Sequence, residues 1–505
     1  MDTRMRTAKI NIATTLVHQL VSTLCGLLIP WVMIETFGSV AYGATTSIAQ
    51  FLSYITLLEG GIGRVARGAL YKPLAEGDHE SISRVYLAVK RFFRIIGLAF
   101  AGYALVLSFA YYDIADITTF TREYIWMLVL SIALGKFAEY MGGISKVTLL
   151  NADQKSYVVN IVYMVTNLLN VALIVVLAKC GADILWVKLV SSLVFILRPI
   201  LYTLYIRRHY RIQKTRERAV LPNKRTGIAQ HTAYVVQNNT DVLILTVLAD
   251  LRCVAVYSVY HLIVFSMRNI ATAFTSGMEA MLGNMVAKGE QDTLQNTYYT
   301  YKLLLTILTV VLFGTTALLI VPFVMLYTEG VTDAQYRQPL FALILVLAEA
   351  LNCLTLPCFN LTIAANKLRE SRIGAYGEAI INVGVSLLLV WWDPLVGVAL
   401  GTLAATLFKS VYYMVFSGRQ ILRVKIYRLF LQFIATMLTL LMMSAAGIWI
   451  MHYVDVTSYG MWILMGFGGV VITGIVGLSL GVFLYPDRIG GLKELLWKGG
   501  DKSHE

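Results

Sequence analysis

Apolar residues run along this chain in long blocks, each closed by a short polar or charged break. A helix rises about 1.5 Å per residue, so about 20 apolar residues cross the hydrocarbon of a bilayer. Fourteen blocks qualify, at residues 10–35, 40–67, 91–112, 122–143, 156–178, 184–206, 228–249, 254–278, 300–327, 338–364, 374–392, 395–417, 428–451 and 461–484. The block at 228–249 is the weakest, because Gln237, Asn238, Asn239, Thr240 and Asp241 interrupt it. The pattern predicts an all-α, polytopic membrane protein with about 14 spanning helices.

The second block, Val40 to Arg67, departs most from a plain span. Gln50 and Tyr54 lie one turn apart, Glu59 arrives while the sequence is still apolar, and Gly60, Gly61 and Gly63 follow. Arg64 and Arg67, three apart, share a helical face. Ionisable groups at membrane depth are costly and face a cavity or a partner. This stretch is expected to line a polar cavity open to the cytoplasm, with the other helices arranged around it.

The chain also repeats itself. Leu74-Ala75-Glu76-Gly77-Asp78 is echoed by Val286-Ala287-Lys288-Gly289-Glu290, an offset of 212. The same offset carries Lys155 onto Lys367 and Asn170-Val171 onto Asn382-Val383. A repeat of six helices, an even number, implies two lobes of like orientation related by an axis along the membrane normal. The expected divisions are a six-helix lobe at 1–206, a basic linker at 207–227, a second six-helix lobe at 228–417, two further helices at 418–484 and a tail at 485–505.

Composition agrees with a membrane protein: of 505 residues 58% are hydrophobic and 14% charged, with a mean hydropathy of +0.69. The net charge of +13 is a topology signal. Connections on one side are poor in Lys and Arg, whereas 207–225 alone carries Arg207, Arg208, Arg211, Lys214, Arg216, Arg218, Lys224 and Arg225. That asymmetry puts both termini in the cytoplasm and makes 207–225 a solvated loop, with no nucleic-acid partner. Five scattered cysteines form neither a metal site nor a disulfide framework.

No phosphate-binding loop, paired metal ligands or nucleophile with a base is present, so no enzyme, no cofactor and no metal site is expected. The outside connections, about ten residues or fewer, leave no room for the catalytic loop of a membrane glycosyltransferase or polysaccharide polymerase. What remains are intramembrane charges: Arg64, Arg67, Lys136, Glu139, Arg198, Arg268, Glu349 and Lys409. The cations fall toward the cytoplasmic half, where a ring of them lining a wet cavity would attract a phosphate or diphosphate. Arg64, Arg67, Lys136, Arg198 and Arg268, with Gln50 and Tyr54, form the expected substrate set. The bland alternatives stay open: Arg67, Arg198 and Lys409 can snorkel to the interface, and Lys136 can pair with Glu139. Glu59, Glu139, Asp241 and Glu349 are candidates for salt bridges or for a coupling H⁺ or Na⁺, Glu349 being also a natural partner for a cavity cation.

Phe37-Gly38-Ser39-Val40-Ala41-Tyr42-Gly43, Thr240-Asp241-Val242-Leu243-Ile244-Leu245, Val254 to Tyr260, and Glu378-Ala379-Ile380-Ile381-Asn382-Val383 are similar to stretches of the Wzx-type flippases. The six-plus-six-plus-two pattern likewise resembles the multidrug/oligosaccharidyl-lipid/polysaccharide exporter superfamily. The resemblance implies movement of polyprenyl-diphosphate-linked oligosaccharide from the inner to the outer leaflet by alternating access. It also implies a bacterial cytoplasmic membrane and work beside a polysaccharide polymerase machinery. The alternative within the same fold is an ion-coupled multidrug antiporter, whose cavity should be acidic or neutral.

Overall fold

The computed structural model describes residues 2–60, 62–213, 228–275, 278–453 and 456–486. Most of the linker expected at 207–227, nearly all of the tail at 485–505 and the side chain of Arg64 lie outside the described residues. Contacts group the chain into two compact units, Met1–Ala255 and Val256–Glu505.

In the first unit, α1 (Asp2–Ser53) is followed by a 3₁₀ turn (Tyr54–Glu59), α2 (Ile62–Glu76), α3 (His79–Ile114) and α4 (Arg122–Ala138). A π turn (Glu139–Gly143) leads into α5 (Ile144–Ala152), then α6 (Ser156–Lys179), α7 (Ile184–His209) and α8 (Ile228–Leu248). Helix α9 (Leu251–Phe274) passes into the second unit, which continues with α10 (Met278–Lys288), α11 (Gln291–Tyr327), α12 (Pro339–Ala364), α13 (Arg372–Leu389) and α14 (Pro394–Ser417). A second π turn (Gly418–Leu422), α15 (Ile426–Tyr453) and α16 (Tyr459–Leu484) complete it.

Among the described residues twelve helical stretches are long and apolar enough to cross a membrane. One of them, Lys9–Glu59, has 51 residues, more than twice what a bilayer needs. It breaks at Gly38, whose φ of 80° and ψ of 169° are open to glycine and strained for other residues. The first two expected spans therefore meet at the expected turn. Helix α8, 21 residues long, is not among the twelve; its Gln237, Asn238, Asn239 and Asp241 lower its hydropathy. With the break and α8 included, the architecture is a polytopic bundle of about fourteen helices.

One expectation fails at the second span. The helix expected to run through residue 67 stops at Ser53, tightens into the 3₁₀ turn and ends at Gly60 in the left-handed region, φ 54°. Arg64 and Arg67 then lie on α2, a separate short helix with polar and apolar faces. Helix α4, in contrast, continues through the π turn into α5, so Arg122–Ala152 forms one 31-residue stretch.

The repeat is written in the backbone. Helices α3 and α11 start 212 positions apart, α2 and α10 end 212 apart, and so do α5 and α12. The left-handed residues after those ends recur with them: Gly77 (φ 70°) with Gly289 (φ 72°), and Gln154 (φ 57°) with Asn366 (φ 54°). The closing hydrogen bonds match too, Asp78 N to Pro73 O beside Glu290 N to Met285 O, and Lys155 N to Leu150 O beside Lys367 N to Thr362 O. A left-handed residue past a helix end lets the chain satisfy the last carbonyls, so one stop signal serves both units.

Close helix approach depends on small residues. A Cβ on Gly43 would sit 1.9 Å from the Leu251 carbonyl oxygen. In the second unit α16 buries Gly469, Thr473, Gly477 and Gly481, one face at four-residue spacing. It packs on α11, with Thr473 hydrogen-bonded to Thr315 at 2.9 Å and the Trp462 indole donating to Leu319 O at 3.1 Å.

Candidate functional site

Three helices of the first unit each turn one face toward a common cavity of about 350 Å³. From α1 come Thr45, Ala49, Leu52 and Ser53; from α4 and its π turn come Ile132, Gly135, Lys136 and Glu139; from α7 come Lys188, Ser191, Ser192, Phe195 and Arg198. Each set has helical spacing, so each is one stripe. Among the described residues the lining holds three cations and one carboxylate.

Lys136 Nζ stands 3.6 Å from Glu139 Oε2, a half-buried contact one turn apart. Tyr163 on α6 donates to the other Glu139 oxygen at 3.4 Å. The Arg198 guanidinium is held by neutral groups: Nε donates to Thr166 Oγ1 at 2.9 Å and Nη2 to Asn167 Oδ1 at 2.7 Å. It also lies 4.4 Å over the Tyr163 ring and 4.2 Å over the Phe195 ring. Neutral partners fix its direction, and no carboxylate is hydrogen-bonded to it among the described residues. Lys188 makes no ion pair or hydrogen bond among the described residues. Two positive charges in excess thus face a partly enclosed space, an arrangement that takes up an anion with several oxygens.

The surrounding geometry is braced. The π turn admits an extra residue into the α4–α5 stretch, and such turns often sit at functional sites. The Tyr140 hydroxyl in that turn donates to Glu59 Oε1 at 2.6 Å, tying it to the 3₁₀ turn after α1. Buried Lys146 donates to Pro199 O at 3.0 Å and Thr203 Oγ1 at 2.6 Å, fixing α7 one residue beyond Arg198. A polar seam also joins α1 and the 3₁₀ turn to α8: Ser47 with Thr246 at 2.6 Å, Ser53 with Asn239 at 2.6 Å and Tyr54 with Thr240 at 2.9 Å.

Of the expected substrate set, Lys136 and Arg198 line this cavity, and Gln50, Tyr54 and Arg67 do not. Tyr54 belongs to the α1–α8 seam, Gln50 is half-buried on α1 and Arg67 is half-buried on α2. Asp241 is buried on α8. Arg268 lies in the second unit, where Nη1 donates to both Glu349 oxygens, at 3.2 and 3.0 Å. Asn352 links that pair onward, donating to Glu349 at 3.4 Å and accepting from Lys409 at 3.4 Å, while Lys409 pairs with Glu378 at 2.8 Å. Two cations meet two carboxylates, so this cluster is internally neutral.

Sequence reasoning passed over Lys188 and gave Glu378 only as part of a family-like stretch. Lys188 sits one turn inside α7, where a lysine reads as interfacial. The signal was the stripe Lys188, Ser191, Ser192, Phe195, Arg198, polar along one face of an apolar helix.

No family model matches the chain and no curated protein matches it. Solved structures do. The chain is similar to lipid II flippase MurJ in an inward closed conformation, with a TM-score of 0.66 at 13% identity over 95% of this chain and 99% of that one. It is also similar to a multidrug resistance MATE family transporter of the MOP superfamily, inward-facing, with a TM-score of 0.59 at 14% identity over 82% and 98%. The eukaryotic MATE transporter AtDTX14 gives 0.57 at 12% identity over 82% and 95%. The fold is the one these exporters share, as the resemblance implied.

Proposed function

We propose that this protein is a flippase that moves polyprenyl-diphosphate-linked oligosaccharide from the inner to the outer leaflet by alternating access. The observation that carries this is the net positive cavity of the first unit, where, among the described residues, Lys136, Lys188 and Arg198 face a single carboxylate. A diphosphate offers the charge and the multiple oxygens such a site takes up, and the hydroxyls of Ser191, Ser192 and Thr45 around it suit sugars. The likeness to a lipid II flippase over 95% of the chain, against 82% for the multidrug transporters, supports the same reading. Basic connections on one side favour both termini inside, and the resemblance to Wzx-type flippases favours a bacterial cytoplasmic membrane. The protein works without catalysis, cofactor or metal, and a coupling H⁺ or Na⁺ would act at Asp241 or Glu349. A polysaccharide polymerase machinery is the expected consumer of the product.

The MATE likeness favours a second reading, a multidrug antiporter exporting organic cations. Proteoliposomes decide between the two. A fluorescent polyprenyl-diphosphate oligosaccharide should become accessible to an impermeant quencher from the opposite leaflet, and K188A/R198A should slow this at least tenfold. Export of a cationic dye without lipid flipping would favour the antiporter and overturn the flippase.

A further inference from the structure

The chain leaves α14 through the π turn Gly418–Leu422 and reverses at Arg423, which adopts φ 56°. Two glutamines of α11 pin this corner: Gln291 donates to Ile421 O and Leu422 O at 3.0 and 2.9 Å, and Gln295 to Leu422 O at 2.8 Å. Lower on α15, buried Gln432 accepts from Lys302 at 2.9 Å and donates to Leu484 O at 3.3 Å, joining α11, α15 and the end of α16. The three helices and the Arg423–Lys425 corner border a half-open cavity of about 680 Å³, within the range of small-ligand sites.

Its chemistry is divided. Among the described residues Arg423, Lys425 and Arg428 line it and no carboxylate does. Arg423 and Lys425 form no ion pair among the described residues, and Arg428 Nε donates to the Tyr427 hydroxyl at 3.2 Å. The lining also includes Leu431, 62% exposed, and Phe483, 80% exposed. These two continue outward onto faces where Ile434, Leu438 and Val482 are also exposed, the faces α15 and α16 would turn to acyl chains.

We propose that this cavity binds the head group of an anionic phospholipid. The three cations hold the phosphodiester, and the acyl chains run along Leu431 and Phe483. A soluble phosphate would use the cations and leave the apolar wall idle; a lipid uses both. The site lies in the second unit, apart from the cavity that carries the flippase reading, and depends on no transport activity.

The test is native mass spectrometry of the full-length protein released from micelles with equal phosphatidylglycerol and phosphatidylcholine. Wild type should retain phosphatidylglycerol at least fivefold over phosphatidylcholine. R423Q/K425Q/R428Q should lose that preference at least fivefold, whereas R207Q/R208Q/R211Q, an equal charge loss on exposed residues, should keep it. Leu431→Trp, which keeps every charge and crowds the apolar wall, should also weaken retention and serves if the triple variant misfolds. Equal loss in both triple variants, unchanged retention in the first, or displacement of the lipid by millimolar inorganic phosphate would each overturn the site.

Discussion

Arg198 donates its Nε hydrogen to the Thr166 hydroxyl at 2.9 Å, and no carboxylate takes that place. The repeat carries Thr166 onto Glu378, which lies 2.8 Å from Lys409, one residue short of the position matching Arg198. The two units thus place a cation of α7 or α14 against the same position of α6 or α13. One leaves the charge available and the other cancels it.

That contrast is testable by transplanting the carboxylate. Thr166→Glu should pair with Arg198 and reduce lipid-linked oligosaccharide flipping at least tenfold with no loss of folded protein, as judged by gel filtration and thermal midpoint. A normal flipping rate in the variant would mean that the free charge of Arg198 is not used.

The second unit predicts stability effects. Glu349 is 3% exposed and Arg268 13%, so Glu349→Ala removes the carboxylate that faces a largely buried guanidinium and should cost about 3–5 kcal/mol in denaturant unfolding. The double variant R268M/E349L removes both charges and should recover most of that loss. No recovery would show that the pair does more than neutralise itself.

A similar comparison applies to Lys302, 7% exposed and held by Gln432 at 2.9 Å. Gln432→Ala leaves the ammonium without its acceptor and should destabilise by about 1.5–3 kcal/mol. K302M/Q432L, which gives up only the Gln432 bond to Leu484 O, should recover most of that loss. Thermal unfolding of the two variants side by side gives the answer.

Helix approach at Gly43 permits no side chain, because the obstructing atom is the backbone carbonyl of Leu251. Gly43→Ala should sharply reduce the yield of monodisperse protein, whereas Gly102→Ala, with open space around its Cβ, should not. Equal yields would place the α1–α9 contact differently.

The bundle and its repeat could be read from the chain because apolar length and helix stop signals are local properties. Gly77 and Gly289, or Gln154 and Asn366, end their helices for reasons contained within a few residues. The break after Ser53 was harder to see: several glycines follow it, and periodicity alone does not say which of them takes a positive φ. Partner choice was beyond sequence pattern altogether. Whether Arg268 faces a ligand or Glu349 depends on how α9 meets α12, and whether Arg198 meets an acid depends on one residue of α6. Lys136 and Arg198 were found because charges deep in apolar helices are conspicuous; Lys188 was missed because its depth is ordinary and only its face is not.

The central claim is that the first-unit cavity holds the diphosphate. Equilibrium binding of a radiolabelled polyprenyl-diphosphate oligosaccharide to purified protein tests it most directly. Saturable binding that weakens at least tenfold in K188Q/R198Q, a loss of about 1.4 kcal/mol, and that falls with added salt is the expected result. Unchanged affinity in that variant, in protein that remains folded, would contradict the account.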